Sequence, residues 1–344
     1  MTRRLLLTGA GGFIGHHVLE HLLHETDWQV VATDSFRHKG KTDRINQVLQ
    51  AGPDEWRQRV HVVMHDLTAP VASQLRHKIG PVDYVIGMAS LSHVDDSIAD
   101  PVSFTRNNVD IVLSTLEYAR EAQPRHVIWV STDEVYGPAE NGGAHPEWAP
   151  ILPSNPYASS KAAQEAIAIS YWRTYGVPLS IVNCMNLIGE RQDPQKYLSM
   201  LIGRVSRGEE VTVHGREGDI GTRHYLHARN LADGILYILR NLPAALFPAH
   251  APDGTGRDRP DRYNIVGPDR ISNLQLAEMT ASIIGKPLWY RLEDFHTSRP
   301  GHDPHYGLDG GKLKALGWKP PVPFEASLAK TVQWTLANPE WMLP

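Results

Sequence analysis

The sequence predicts a doubly wound parallel α/β sheet with a smaller α/β lobe over the carboxyl ends of its strands. Three observations predict it. Through the first half of the chain, short apolar runs alternate with longer amphipathic stretches, the pattern of repeated strand–helix–strand units. The apolar runs are rich in Val, Ile and Leu and scarcely alternate, as strands read when helices cover both sheet faces. A glycine-rich turn joins the first apolar run to the first amphipathic stretch.

Taken in order, the strands fall at residues 5–8, 30–34, 60–65, 84–89, 126–132 and 179–184. Between them, residues 14–25, 42–49, 71–79, 102–122 and 157–175 carry apolar side chains at helical spacing, for example Val71, Leu75 and Ile79. Beyond Cys184 the rhythm loosens. Helices are predicted at 194–206, 228–240, 273–284 and 324–336, and strands at 210–214 and 263–266. Residues 248–262 (PAHAPDGTGRDRPDR) form a polar Pro/Gly loop. The expected division is interleaved. Residues 1–182 plus about 216–247 build the sheet domain, and residues 183–215 plus about 248–344 build the lobe. No internal repeat is visible.

Composition excludes several classes. Hydrophobic residues make up 41% and charged residues 21%, enough for a sizeable core and unlike a disordered chain. The 28 Gly and 25 Pro show no period, so collagen-like and low-complexity readings fail. A net charge of -4 with no basic stripe argues against a nucleic-acid partner. No apolar run approaches the length of a membrane span. Cys184 is the only cysteine, so no intramolecular disulfide is possible and a reducing compartment fits. A strand beginning directly after Arg4 leaves no room for a signal peptide, and a cytoplasmic location is expected.

The turn Thr8-Gly-Ala-Gly-Gly-Phe-Ile-Gly15 carries the first chemistry. Gly9 permits a tight turn, Gly12 lets backbone approach a pyrophosphate, and Gly15 permits close helix–strand packing. Phe13, Ile14 and Gly15 open the helix whose N–H groups face the phosphates. Asp34 closes the second strand, where a carboxylate can hold a ribose hydroxyl and disfavour a 2′-phosphate. NAD is therefore expected, while Arg37, His38 and Lys39 close behind leave NADP open.

Two further segments suggest proton transfer beside that cofactor. Tyr157 and Lys161 stand four apart at a helix start and share a face, where an ammonium favours phenolate. Such a tyrosine can take a proton from an alcohol during hydride transfer. Ser131-Thr132-Asp133-Glu134-Val135-Tyr136-Gly137 ends the fifth strand, at the rim where open α/β sheets bind ligands. Thr132 is expected to hydrogen-bond the reacting hydroxyl. One carboxyl of the Asp133–Glu134 pair, kept protonated, can donate to a leaving hydroxyl while the other removes a carbon-bound proton.

With these residues in view the chain resembles the extended short-chain dehydrogenase/reductases. Within them it is similar to the nucleoside-diphosphate-glucose 4,6-dehydratases, most closely those acting on dTDP-glucose. The segments TGAGGFIG, HDLT, SHVDDSIADP, STDEVYG, NPYASSKAAQE, RTYG, YNIVG, RPGHDPHYGLD and LGWKP carry the resemblance over nearly the whole chain. It implies a Rossmann-type fold, NAD, and a redox-neutral cycle: oxidation at C4, loss of water across C5–C6, and hydride return to C6. By resemblance, Tyr157 is the base at the C4 hydroxyl with Lys161 and Thr132 assisting. Glu134 takes the C5 proton and Asp133 protonates the departing C6 hydroxyl. Asp66 and Leu67 match adenine-contacting positions, and Asn108 matches one near the cofactor. Ala89, Ser90, Ser92 and His93 lie where the family lines nicotinamide and sugar. Asn186, Lys196, Tyr197, His214, Arg223, Asn264, Arg299 and His302 are expected on the substrate side. Helices 102–122 and 157–175 are expected to pair with their copies in a four-helix homodimer interface.

Departures cluster in the nucleotide-binding lobe. Leu187 replaces a second asparagine, Arg223-His224-Tyr225 stands for Arg-Asp-Trp, and segments 215–222 and 248–262 are longer. Another nucleotide-sugar enzyme of the same group, a 4-epimerase or 5,6-dehydratase, therefore stays open beside the 4,6-dehydratase. A non-catalytic dinucleotide sensor would have no need to keep both Tyr157 and Lys161. His17, His21 and His24 share one helix face, expected to be partly exposed, without a set of ligands that would make a zinc site. No metal is expected.

Overall fold

The computed structural model describes residues 2–139, 142–251, 254–294, 303 and 305–342. Its first part runs β1 (Arg4–Thr8), α1 (Phe13–Glu25), β2 (Gln29–Asp34), α2 (Thr42–Ala51), α3 (Glu55–Arg59), β3 (Val60–Met64), α4 (Ser73–Ile79), β4 (Tyr84–Gly87), α5 (Val94–Ala99), α6 (Pro101–Ala122), β5 (His126–Thr132), α7 (Pro156–Tyr175) and β6 (Leu179–Cys184). A 3-10 turn, Asp133–Tyr136, continues directly from β5. The remainder runs β7 (Leu187–Ile188), α8 (Tyr197–Arg207), β8 (Val211–Arg216), β9 (Asp219–Ile220), β10 (Thr222–His224), β11 (Leu226–His227), α9 (Ala228–Asn241), β12 (Asp261–Ile265), β13 (Arg270–Ser272), α10 (Asn273–Ile284), β14 (Tyr290–Glu293), α11 (Gly311–Ala315) and α12 (Phe324–Ala337).

Among the described residues the main sheet has seven strands in the order β3-β2-β1-β4-β5-β6-β12. Every neighbouring pair is parallel. Alternate side chains enter opposite layers: Leu5 and Leu7 pack with Val18, Leu22 and Ile235 of α1 and α9, while Leu6 packs with Ile79 of α4. Trp129 and Trp172 share that second layer and are fully buried. The first layer explains a difference from expectation. His17 and His21 are buried, because α9 covers the outer side of α1.

Helix starts follow local chemistry. Asp100 caps α6 by accepting from Ser103 N at 3.1 Å, with Pro101 in the first turn. Asn155 caps α7 by accepting from Ala158 N at 2.8 Å, with Pro156 next. Ser272 and Gln275 form a reciprocal capping box on α10.

The lobe has its own core, in which Leu201, Val213, Leu276, Phe324 and Leu328 meet. Sequence placed the strand near residue 263 in this lobe. Backbone pairing instead makes β12 the seventh strand of the main sheet, with Asp261 opposite Ser180 and Ile265 opposite Cys184. Residues 216–227, expected with the sheet domain, pair with lobe strands or with β7. The reason is the same in both cases: a short strand's partner is set by the tertiary layout and not by its own pattern.

Candidate active site

The carboxyl ends of β1, β2, β4, β5 and β6 open onto one continuous cleft of about 1310 Å³. It extends from Gly9 and Gly12 past Thr132 and Tyr157 to His214 and Arg223 of the lobe.

Its first end is a glycine cradle. Gly9 has φ +70, in the left-handed region that glycine adopts freely. A Cβ on Gly15 would overlap the carbonyl oxygen of Gly9 and stand 2.8 Å from Ala10 Cα. No side chain caps the N-terminus of α1 and its first turn holds no acid, so its dipole and N–H groups face the cleft, beside Phe13 and Ile14. The Asp34 carboxylate accepts from Gly11 N and Phe36 N, both at 2.9 Å, and still lines the cleft. These features fit a dinucleotide: backbone donors for the pyrophosphate and a carboxylate for a ribose. Arg37 is engaged with Asp66 at 2.7 Å and Lys39 with Asp193 at 3.1 Å. Arg44, which sequence did not single out, is buried and donates to Gly11 O and Arg191 O, both at 3.1 Å, tying the glycine turn to the chain beyond β7.

Leu67, Ala89, Ser90, Ser92 and His93 all line the cleft, as does Asp66. Asn108 does not. It sits one layer behind, where it accepts from Leu91 N at 2.8 Å and donates to Leu91 O at 3.1 Å and Ser160 Oγ at 2.8 Å. It braces the loop after β4 against α7.

At the centre, Thr132 Oγ1 donates to Asp133 Oδ1 at 3.0 Å and shares a hydrogen bond with the Tyr157 phenol. Burial, reinforced by the Glu134 charge, pushes the Asp133 carboxyl up to about 7. Its Oδ2 is buried and unpartnered among the described residues. Glu134 is also raised by burial, but Asn155 Nδ2 donates to its Oε2 at 3.0 Å, and Lys196 and Arg223 add positive charge. Burial thus raises both adjacent carboxyls, but their partners differ: Asp133 keeps an unpartnered buried oxygen, while Glu134 has an amide donor and nearby cations that oppose its shift.

Tyr157 and Lys161 differ from expectation in one respect. Burial and the Glu134 charge push the phenol well above its ordinary value. Lys161 does not offset this, because its ammonium donates to Val130 O at 2.9 Å and Gln164 Oε1 at 2.6 Å. Burial lowers the lysine to about 8.

On the lobe side, Asn186, Lys196, Tyr197, His214 and Arg223 line the cleft. Arg223 donates to Thr222 O at 2.8 Å and Asp303 O at 2.9 Å, and lies 4.4 Å from the Tyr306 ring centre. Asn264 is a correction. It is buried on β12 and gives its amide hydrogens to His145 O and Asp309 O, both at 3.0 Å, so it lines no part of the cleft. Arg299 and His302 lie outside the described residues. Sequence missed Asn155, Gln164 and Tyr306. An Asn before Pro-Tyr at a helix start is a capping signal that could have found the first.

His17 has a second environment of interest. With Glu190 and His227 it forms a buried cluster of metal-ligand type. The hydrogen bonds favour an ion-paired carboxylate. His227 Nδ1 accepts from Arg229 N at 3.0 Å, so Nε2 carries the proton donated to Glu190 at 3.0 Å. Arg229 and Lys330 approach the other Glu190 oxygen at 3.5 and 3.3 Å.

The family model described as the NAD dependent epimerase/dehydratase family matches residues 5–248. The chain is 31% identical over 361 residues to a dTDP-glucose 4,6-dehydratase of Neisseria meningitidis, covering 98% of this chain and 95% of that one. It is 29% identical over 363 residues to dTDP-glucose 4,6-dehydratase 1 of Escherichia coli, covering 98% and 94%. Its fold is similar to that of DesIV, a dTDP-glucose 4,6-dehydratase of Streptomyces venezuelae solved with NAD bound, at TM-score 0.83 and 31% identity over 98% of each chain. A UDP-glucose 4-epimerase of Thermus thermophilus in complex with NAD superposes at TM-score 0.81 and 26% identity, covering 96% of this chain and 98% of that one.

Proposed function

The chain belongs to the NAD dependent epimerase/dehydratase family, and from that premise we propose that it is a nucleoside-diphosphate-hexose 4,6-dehydratase, with dTDP-glucose as its first candidate substrate. The observation that carries this reading is the Asp133–Glu134 pair, two buried carboxyls with different partners beside Tyr157. An enzyme that only oxidised and reduced C4 would have no use for both.

Gly9, Gly12, Phe13, Ile14, Gly15 and Asp34 would hold the dinucleotide, with Asp66, Leu67, Ala89 and Ser90 along its length. Bound NAD would take up a hydride and return it, and its oxidised ring would bring the positive charge that favours loss of the Tyr157 proton. Tyr157 would receive the C4 hydroxyl proton, with Thr132 hydrogen-bonded beside it. Lys161 would act from behind, on the ribose. A 4-keto group acidifies the C5 hydrogen, which Glu134 would remove. Asp133 would give its proton to the departing C6 hydroxyl, making water the leaving group. Lys196 and Arg223 would face the diphosphate, where a guanidinium fork suits phosphate oxygens.

For assembly we propose a homodimer through α6 and α7, supported by Val102 and Leu113 of α6, which are left exposed. Light scattering at graded concentrations tests it, and a strict monomer refutes it. No described helix is long and apolar enough to cross a membrane. The single cysteine is buried and free, and the reading places the enzyme in the reducing cytoplasm.

The decisive experiment follows purified protein with NAD and a panel of dTDP-, UDP-, CDP- and GDP-hexoses by NMR in deuterated water. A 4-keto-6-deoxy product with deuterium at C5 supports the reading and identifies the nucleotide. A C4-inverted sugar without loss of water favours the 4-epimerase reading, to which the Thermus likeness also points. No turnover of any donor overturns both.

A further inference from the structure

Beneath the carboxylate-bearing turn lies a buried polar chain that the proton transfers do not use. Asn183 of β6 donates one amide hydrogen to Thr132 O at 2.9 Å and the other to Glu165 Oε1 at 2.8 Å. Glu165 Oε2 accepts from Arg262 Nη2 at 2.6 Å. Arg262 Nη1 donates to the Tyr136 hydroxyl at 2.9 Å, and that hydroxyl donates to Glu147 O at 2.8 Å. Asn183, Glu165, Arg262 and Tyr136 are all fully or almost fully buried.

The placement of this chain is specific. It takes hold of the 3-10 turn at both ends, by the Thr132 carbonyl where the turn begins and by the Tyr136 hydroxyl where it closes. Asp133 and Glu134 lie between those two points. Glu165 belongs to α7, the helix that carries Tyr157 and Lys161. Arg262 comes from β12 at the sheet edge and lies 4.3 Å from the Trp148 ring centre. A buried ion pair is a weak source of stability, since well-packed apolar residues of like volume often serve as well. What the pair adds here is direction: rigid elements on three sides fix one turn.

We infer that Glu165, Asn183, Arg262 and Tyr136 are positioning residues, a clamp that holds the Asp133–Glu134 turn in register with Tyr157. The inference rests on the dehydratase reading for the reaction it serves, though not for its geometry. Loss of the clamp loosens the turn and admits water to Asp133, the carboxyl that burial raises.

Glu165→Gln leaves a buried guanidinium without its counter-charge and is at risk of misfolding. The decisive variant is Tyr136→Phe, which cuts the link at the closing end of the turn and keeps the ion pair, the Asn183 bond to Thr132 O and the packing. In the full chain with NAD, kcat is expected to fall about tenfold with KM within about twofold, since misplaced groups slow chemistry more than they weaken binding. The descending limb of the kcat profile moves to lower pH, and amide exchange of Glu134, Val135 and Gly137 accelerates while β5 stays protected. A kcat within twofold of wild type, with unmoved pH limb and exchange, overturns the clamp. If wild type turns over no donor in the NMR assay, the dehydratase reading fails by itself. The exchange measurement then decides the clamp alone: faster exchange in the turn upholds it and unchanged exchange overturns it.

Discussion

Asn155 serves two purposes with one side chain, and two substitutions separate them. Its Oδ1 caps α7 by accepting from Ala158 N at 2.8 Å, an interaction worth about 1 kcal/mol. Its Nδ2 donates to Glu134 Oε2 at 3.0 Å, and a bond to a charged group is worth about 1.5–3 kcal/mol. Asn155→Ala loses both. The lost cap alone is expected to lower the melting temperature by about 1–2 °C, from about 1 kcal/mol spread over the unfolding entropy of a chain this long, and the lost Glu134 bond lowers it further. If the Glu134 bond is made while that residue acts as base, kcat falls roughly tenfold to a hundredfold. Asn155 is the largest of the influences that oppose burial at Glu134. Removing it raises the carboxyl further, so the ascending limb of the pH profile moves to higher pH. Asn155→Asp restores the cap, because aspartate caps as well as asparagine, but sets a carboxylate against Glu134. It should recover only the cap's share of the melting temperature and be the slower enzyme of the two. Calorimetry reads the first quantity, and deuterium incorporation at C5 reads the second. An Asn155→Asp protein that turns over at the wild-type rate would refute the assignment of Glu134 as the base held by Asn155.

Three further outcomes are expected. Activity should fall as pH rises through about 7, where Asp133 loses its proton, and Asp133→Asn should lower kcat by about 10²–10⁴ with substrate binding largely retained, both read from kcat and KM across pH 5–9. Gly15→Ala forces a Cβ onto Gly9 O, so stability should fall by about 1–3 kcal/mol and NAD affinity with it, measured by urea unfolding and by fluorescence titration; unchanged NAD binding would show that the cradle is not used. Glu190 is held well below the carboxylate range: burial opposes this, but the His227 hydrogen bond and neighbouring charge outweigh it. A depressed carboxyl stabilises the fold fully above its unfolded value of about 4.3, and that contribution declines as pH falls from there toward the lower folded value. Glu190→Gln should therefore cost about 2 kcal/mol at pH 7 and progressively less below about pH 4, and a deficit independent of pH would contradict the ion-pair description.

The parts of this molecule that were legible in its sequence are those where local pattern and final environment agree. The strands at β1, β2, β5 and β6 read almost to the residue, because a strand covered on both faces must be apolar throughout. The glycine turn and the STDEVYG and YASSK segments read as a site because their spacing already implies a shared cleft. Illegible features depend on partners far away in sequence. β12 lies beside β6, and nothing in Asp-Arg-Tyr-Asn-Ile announces that neighbour. Its Arg262 looked like the end of a polar loop and is instead buried against Glu165. His17 and His21 looked half-exposed, since the helix that covers them, α9, is more than 200 positions away. Asn264 carries the polarity of a ligand contact and uses it on backbone carbonyls. The two-residue and three-residue strands β7, β9, β10, β11 and β13 are too short for any periodicity to show.

The late return of β12 also bears on how the protein is made. The outer edge of β6 stays open until the chain has run on from Cys184 through Asp261–Ile265. At about 5–20 residues per second on the ribosome, the 77 positions from 184 to 261 occupy roughly 4–15 s. During that interval the nascent sheet presents a Val- and Ile-bearing edge with unpaired backbone groups, a template for association with other chains. Asn183 and Glu165 meanwhile await the guanidinium that completes their ion pair. A fragment ending before residue 261 is therefore expected to aggregate, even though it contains every residue assigned here to proton transfer.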